Sequence, residues 1–235
     1  MDKKALQLAA RFALPPNSLG YCGHDSAPEK FKACVIHSQC DGVEDEIKKF
    51  IVLNPYLKTI ATITNKSPFS YEVVESYCIG NEELNKTEPK HFEILLQNFS
   101  EQGVPPWLIE ELRQKPPKVF IPTHLFQVLF VGVGRASGSV PYNIETINNC
   151  MVRWGAVQNI AAEGITIELN SLAKEANGYT LTKTTETLPV IPEFIENLKL
   201  GDVVTAHWKQ IIKKLTPEEI EKISYWTNRV IESLN

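Results

Sequence analysis

The sequence predicts an α+β protein. An N-terminal all-helical domain, residues 1–140, is followed by a small OB-like antiparallel β-barrel with a C-terminal helix, residues 148–235. Three observations carry this. The first half is a run of short, proline-punctuated segments with apolar residues three and four apart. The second half turns to β-branched segments with partial alternation, such as "ITIEL" and "YTLTKTTETL". Between them lies "GRASGSVPYN", residues 134–143, rich in Gly and Ser, which reads as a linker.

The helices follow in order. Residues 5–14 form an amphipathic segment interrupted by Arg11 and ended by Pro15-Pro16, a pattern that suits a helix better than a signal peptide. Residues 28–37 start with Pro28 in the first turn, and residues 45–53 come next. Asn54-Pro55 breaks the pattern before residues 56–64. Residues 70–79 place Val73, Val74, Tyr77 and Cys78 on one face, and residues 89–102 do the same with Phe92, Leu95, Leu96 and Phe99. Residues 105–114 complete the run. "HLFQVLFVGV", residues 124–133, is a buried helix or a strand, and periodicity does not separate the two. Strands are expected over 151–160, 164–172, 179–188 and 201–208. Thr216, Pro217 and Glu219 then open a final helix with a capping box.

Composition narrows the function classes. With 43% hydrophobic residues the chain of 235 can bury a core. Its net charge of −4 disfavours a phosphate-backbone partner, so nucleic acid is not expected. No run of about 18 apolar residues is present, so neither a spanning helix nor a membrane partner is expected. The cysteines at 22, 34, 40, 78 and 150 form no CxxC, which argues against ribbon zinc and for free thiols in a reducing, cytoplasmic compartment.

One thiol and one imidazole stand out in the second half. Cys150 opens its first strand and His207 lies near the end of its last. A small barrel can bring such positions together, as a soft two-point metal ligand set or as an activated nucleophile pair. A cysteine is also an ordinary small apolar filler. Arg153 would lower a neighbouring thiol's pKa if turned inward, while alternation allows it to face solvent equally well.

A second group of candidates lies in the first half: Tyr21, Cys22, His24, Cys78, Asn81 and His124. "PPNSLGYCGH", residues 15–24, is a compact loop in which Gly20 and Gly23 supply positive φ. "ESYCIGN" ends a helix at Gly80, with Cys78 readable as core filling. His124, after Pro122, could cap or enter a helix and face the second domain. "CVIHSQC" sets Cys34 and His37 on one helix face, with Cys40 turned away unless the helix has ended.

The C-terminal unit resembles the HypC/HupF hydrogenase assembly chaperones. "CMVRWGAV" aligns Cys150, Met151, Gly155 and Val157 with that family's opening pattern. "LGDVVTAHW" aligns Gly201, Asp202 and His207 with its late strand, and "IIKKLTPEEIEKI" with its junction into a final helix. The resemblance implies a non-enzymatic metallocentre assembly or carrier protein of [NiFe]-hydrogenase maturation. Its Cys150 and His207 would handle an Fe(CN)2(CO) fragment, bound transiently. The implied partners are hydrogenase maturation proteins or the hydrogenase large-subunit precursor. Two alternatives stay open: a cysteine-dependent enzyme that supplies or transfers a small ligand, and an interaction module without metal chemistry. In this chain Trp154 replaces the family's proline, and Cys150 is internal and so has no free α-amine. The whole chain also resembles an uncharacterised prokaryotic family with a "PPNxLGYCG" opening. That implies that Tyr21-Cys22-Gly23, Gly80-Asn81 and residues 150–154 meet.

Overall fold

The computed structural model describes residues 2–23, 27–176, 178–190, 192–195 and 197–235, Pro192 by its backbone alone. The helical half contains α1 (Lys3–Ser18), α2 (Ala27–His37), α3 (Val43–Ile47), α4 (Leu53–Thr64), α5 (Tyr71–Cys78), α6 (Phe92–Gln102) and α7 (Pro106–Gln114). Asp2 starts it: its carboxylate accepts from Lys4 N and Ala5 N, and also from Tyr71 N at 2.9 Å, pinning α1 to the start of α5. The segment beginning at His124 is helical. Thr123 caps α8 (His124–Phe126), which runs into a π-helical stretch, Gln127–Gly132. Such π stretches recur at functional sites.

The second half does not begin with a strand at Cys150. Asn143 is a helix cap, reciprocated by Thr146, and Cys150 is the last residue of α9 (Ile144–Cys150). The presumed linker thus hides a helix start. The sheet follows as β1 (Arg153–Ala161), β2 (Gly164–Glu175), β3 (Gly178–Leu188), β4 (Val203–His207) and β5 (Gln210–Lys214). "QIIKK", expected only as a junction, is β5. The final helix, α10 (Pro217–Leu234), has the expected Thr216 and Glu219 capping box.

The α+β class holds, but the sheet is open, with all its strands antiparallel in the order β3-β2-β1-β4-β5. Among the described residues β3 and β5 are joined by no ladder; a single parallel bridge links Val190 to Ile211. β5 is covered by α1 instead, whose Arg11 donates to Ile212 O and Phe194 O. One continuous apolar core runs through both halves. Among the described residues no helix is long and apolar enough to cross a membrane.

Not all thiols are free. Cys34 and Cys40 form a disulfide. α2 ends at His37, Ser38 takes a left-handed φ of 57° and donates its N–H to Cys34 O, and the chain folds back to bring Cys40 over Cys34. This removes the Cys34/His37 pairing as a metal site.

Gly155 sits in the centre of the sheet, opposite Leu169 on β2 and Val204 on β4. A Cβ there would meet Glu168 O at 1.9 Å. The atoms it would meet are all β2 backbone, and β1 is laddered to β4 on its other edge, so neither strand can yield without breaking the ladder. Gly155→Ala should therefore cost about 3 kcal/mol, at the upper end of ordinary overpacking. A shift in the urea unfolding midpoint checks this; a midpoint within error of wild type would contradict it.

Candidate metal centre

The site is assembled from both halves of the chain. His207 ends β4 and is followed by a tight turn in which Trp208 and Lys209 are both left-handed, at φ 49° and 60°. The ring is buried, and Nδ1 lies 2.8 Å from Phe12 O in α1. A carbonyl only accepts, so Nδ1 carries the hydrogen and Nε2 presents a lone pair. The acceptor is free because of Pro16. In an uninterrupted helix the N–H of residue 16 would bond to Phe12 O, and proline has none. The "PPN" run thus provides the carbonyl that orients the histidine.

Three donor groups converge. His124, Cys150 and His207 each offer a ligand atom, and these atoms lie within 4.8 Å of one another. Cys150 Sγ is 3.7 Å from His124 Nε2. The edge of a tetrahedral zinc-like N/S site is roughly 3.6 Å, from bond lengths of about 2.0–2.3 Å. The Cys150–His124 edge already matches such a site, and no edge of the set exceeds it by more than about an ångström. Among the described residues His207 Nε2 is buried with no hydrogen-bond partner. A buried nitrogen lone pair left this way is costly unless a ligand takes it.

His124 is a conditional donor. Its Nε2 lies 2.7 Å from Cys150 O, so in this state Nε2 carries hydrogen and Nδ1 accepts from Tyr77 OH at 2.9 Å. Metal binding at Nε2 requires the proton to move to Nδ1, where the Tyr77 oxygen can accept it.

The family model of DUF6390, described as a family of unknown function, matches residues 1–235. The chain belongs to the DUF6390 family. No curated protein and no solved structure matches it.

In this DUF6390 chain a cavity of about 80 Å³ adjoins the three donors, and Tyr21, Cys22, Cys78 and Trp208 also line it. Tyr21 and Trp208 pack with ring centres 4.6 Å apart. The expected meeting of Tyr21 and Cys22 with Cys150 is therefore present. Asn81 does not join them. Its side chain is consumed by Ser76, Glu83 N, Glu72 O and Glu75, which leaves it no spare capacity. Its neighbour Gly80 is held against Trp226. His24 lies outside the described residues. Cys78 lines the cavity but stands outside the three-donor cluster. Arg153 is neither solvent-facing nor an activator of Cys150: it is buried and forms a bidentate pair with Glu186, with a further bond to Ser171.

Among the described residues the cavity lining carries no Asp, Glu, Lys or Arg. Burial is the largest cause of the shifts of Cys150, Cys22, His124 and His207. It pushes the Cys150 thiol well above its usual range; the Cys22 charge adds to this, and the Trp208 indole opposes it. It pushes Cys22 up to about 11. It lowers His124 to about 4, against the opposing Cys150 carbonyl, and His207 to about 3, with His124 adding to the effect and the backbone of Phe12 and Cys150 opposing it. The donors rest as a neutral thiol and two neutral imidazoles. Phe12 O and Tyr77 had no sequence signal as ligand-orienting groups, although an i−4 reading of Pro16 identifies Phe12 as the residue with a spare carbonyl.

The depressed histidines make stability depend on pH. Unfolded histidine binds a proton below about pH 6.5, while the folded groups stay neutral down to about 4 and 3. The unfolded state holds more protons in that window, so stability falls as pH drops from 6.5 toward 4. Each histidine contributes a slope of about 1.4 kcal/mol per pH unit. His207→Asn should reduce the slope by about one proton. Urea unfolding at a series of pH values measures it; equal slopes in both proteins would show that His207 is not held neutral.

Proposed function

We propose that this protein is a non-enzymatic metallocentre assembly or carrier protein that holds a soft transition metal through His207, Cys150 and His124. The observation that carries the reading is His207 Nε2: a buried lone pair with no partner in hydrogen-bond geometry among the described residues, aimed by Phe12 O, beside a cysteine thiol and a second imidazole. One thiolate with two imidazoles suits a transition metal better than a hard cation, which prefers oxygen. The histidines are neutral without any change of pH, so only Cys150 must lose a proton on loading.

The cargo is proposed to be an Fe(CN)2(CO) fragment in [NiFe]-hydrogenase maturation, passed to maturation proteins or the large-subunit precursor. This rests on the HypC/HupF resemblance of residues 148–235. An OB-like reading of that unit draws support from the Val190–Ile211 bridge, which brings the chain after β3 to β5. The two-donor expectation gains a third member, His124, from the helical half. That half would supply part of the surface a free-standing chaperone recruits from a partner.

The enzyme alternative draws less support. A nucleophilic cysteine needs a lowered pKa, and burial here raises that of Cys150. The interaction-module alternative would suit donors held far apart, and they are adjacent.

Anaerobic titration with Co2+ tests the metal reading. Wild type should bind one equivalent with a thiolate-to-metal charge-transfer band, and Cys150→Ala should lose the band. His207→Ala should weaken binding at least about 100-fold, beyond the 10–100-fold typical of residues that merely orient a ligand. No band in wild type would sink the reading. Infrared spectra after co-expression with hydrogenase maturation proteins test the cargo; purified protein without cyanide and carbon monoxide stretches would exclude that fragment.

A further inference from the structure

Two of the three donors, Cys150 and His207, are buried and the third, His124, is half-buried. His124 has both ring nitrogens engaged inside the protein. A metal held by an outside donor cannot be handed to them in one step, since the outgoing ligand would have to enter the core with it. The cavity supplies an intermediate position. Among the described free cysteines, Cys78 and Cys150 are buried, while Cys22 reaches the surface in part and also lines the cavity.

Cys22 is held there by construction. Gly20 and Gly23 take left-handed φ values of 71° and 77°, which fold residues 19–23 back over the end of α1. Asn17 Nδ2 donates to Cys22 O at 2.7 Å. A Cβ on Gly23 would meet Phe50 at 2.5 Å, so the loop closes tightly on the core. Tyr21 packs at a tilt of 53° against Trp208, the residue after His207. Trp208 adopts the left-handed conformation that a bulky side chain avoids, and its N–H donates to Asn149 O at 2.6 Å. Two adjoining residues, Tyr21 and Trp208, thereby fasten the Cys22 loop to the turn that carries the ligand. The sign, apart from the cysteine itself, that a ligand enters this cavity is the buried His207 Nε2, which among the described residues has no partner in hydrogen-bond geometry.

We propose that Cys22 is a transfer ligand: a soft metal passes from an outside donor to Cys22, and from Cys22 to the buried Cys150–His207–His124 set. This rests on the metal-carrier reading above. In the first step a metal–sulfur bond forms at Cys22 as the outside donor leaves, and the Cys22 proton departs to solvent or to that donor. In the second, a metal–sulfur bond forms at Cys150 as that to Cys22 breaks, and the Cys150 proton moves to Cys22. The metal keeps its oxidation state throughout. The reverse sequence unloads it. Cys22 thus sets the rate of loading and release, while Cys150 and the histidines set the equilibrium.

Stopped-flow mixing of the full chain with Co2+ under anaerobic conditions, followed by removal with excess EDTA, separates the two roles. The readout is the thiolate-to-metal band. Cys22→Ser, nearly isosteric, should slow both uptake and removal by about tenfold or more, since serine offers no thiolate. The final band should keep its wild-type intensity and its Cys150 dependence. Cys22→Ala, checked by circular dichroism, guards against a serine-specific artefact and should behave alike. Wild-type rates in both variants would overturn the proposal. Loss of the final band in both, with the fold retained, would also overturn it, making Cys22 a permanent ligand. Absence of any band in wild type would instead remove the carrier reading on which it stands.

Discussion

The hydrogen bond from His207 Nδ1 to Phe12 O is the contact on which the site depends. It joins the first helix to the fourth strand, fixes the imidazole tautomer, and leaves Nε2 as a lone pair in the interior. It exists because Pro16 withholds the donor that a regular helix would have spent on that carbonyl. A local irregularity, ordinarily a cost, becomes the anchor of a long-range contact. The halves are therefore coupled through the same group that would bind a metal, as well as through their shared core.

Around that anchor the described residues form a pocket lined by no Asp, Glu, Lys or Arg. Burial keeps the thiol protonated and the imidazoles neutral, so the metal-free state avoids isolated charges in a low-dielectric interior. The same arrangement weakens the case for a nucleophilic cysteine. The strong cation nearest in sequence, Arg153, is spent on Glu186 and lies apart from the cavity lining.

Much of the fold was legible locally. Helices with complete apolar faces, such as α6, and helices with explicit caps, such as α10, sit where spacing and capping place them. Gly155 and Gly80 mark close approaches that only glycine fits. The misreadings share a cause. Asn143 looked like part of a polar linker, since a cap is defined by the bond it makes to Thr146 N and not by composition. β5 looked like a junction, since five residues with one buried pair carry too little alternation to stand out. Cys40 looked detached from Cys34, since the chain reversal at Ser38 needs a left-handed residue that serine rarely supplies.

The sequence by itself determined the ingredients: the α+β order, a thiol and an imidazole in the second half, a glycine-flanked Tyr21-Cys22 loop, and His124 at the head of an apolar helix or strand. Tertiary structure alone decided which of these meet. It placed His124 with Cys150 and His207, brought Cys22 to the same cavity, and spent Asn81 on capping a turn. The physical reason is that ligand geometry depends on contacts between residues far apart in the chain. Pro16 frees the Phe12 carbonyl locally, but His207 lies 195 positions away and no local pattern pairs the two.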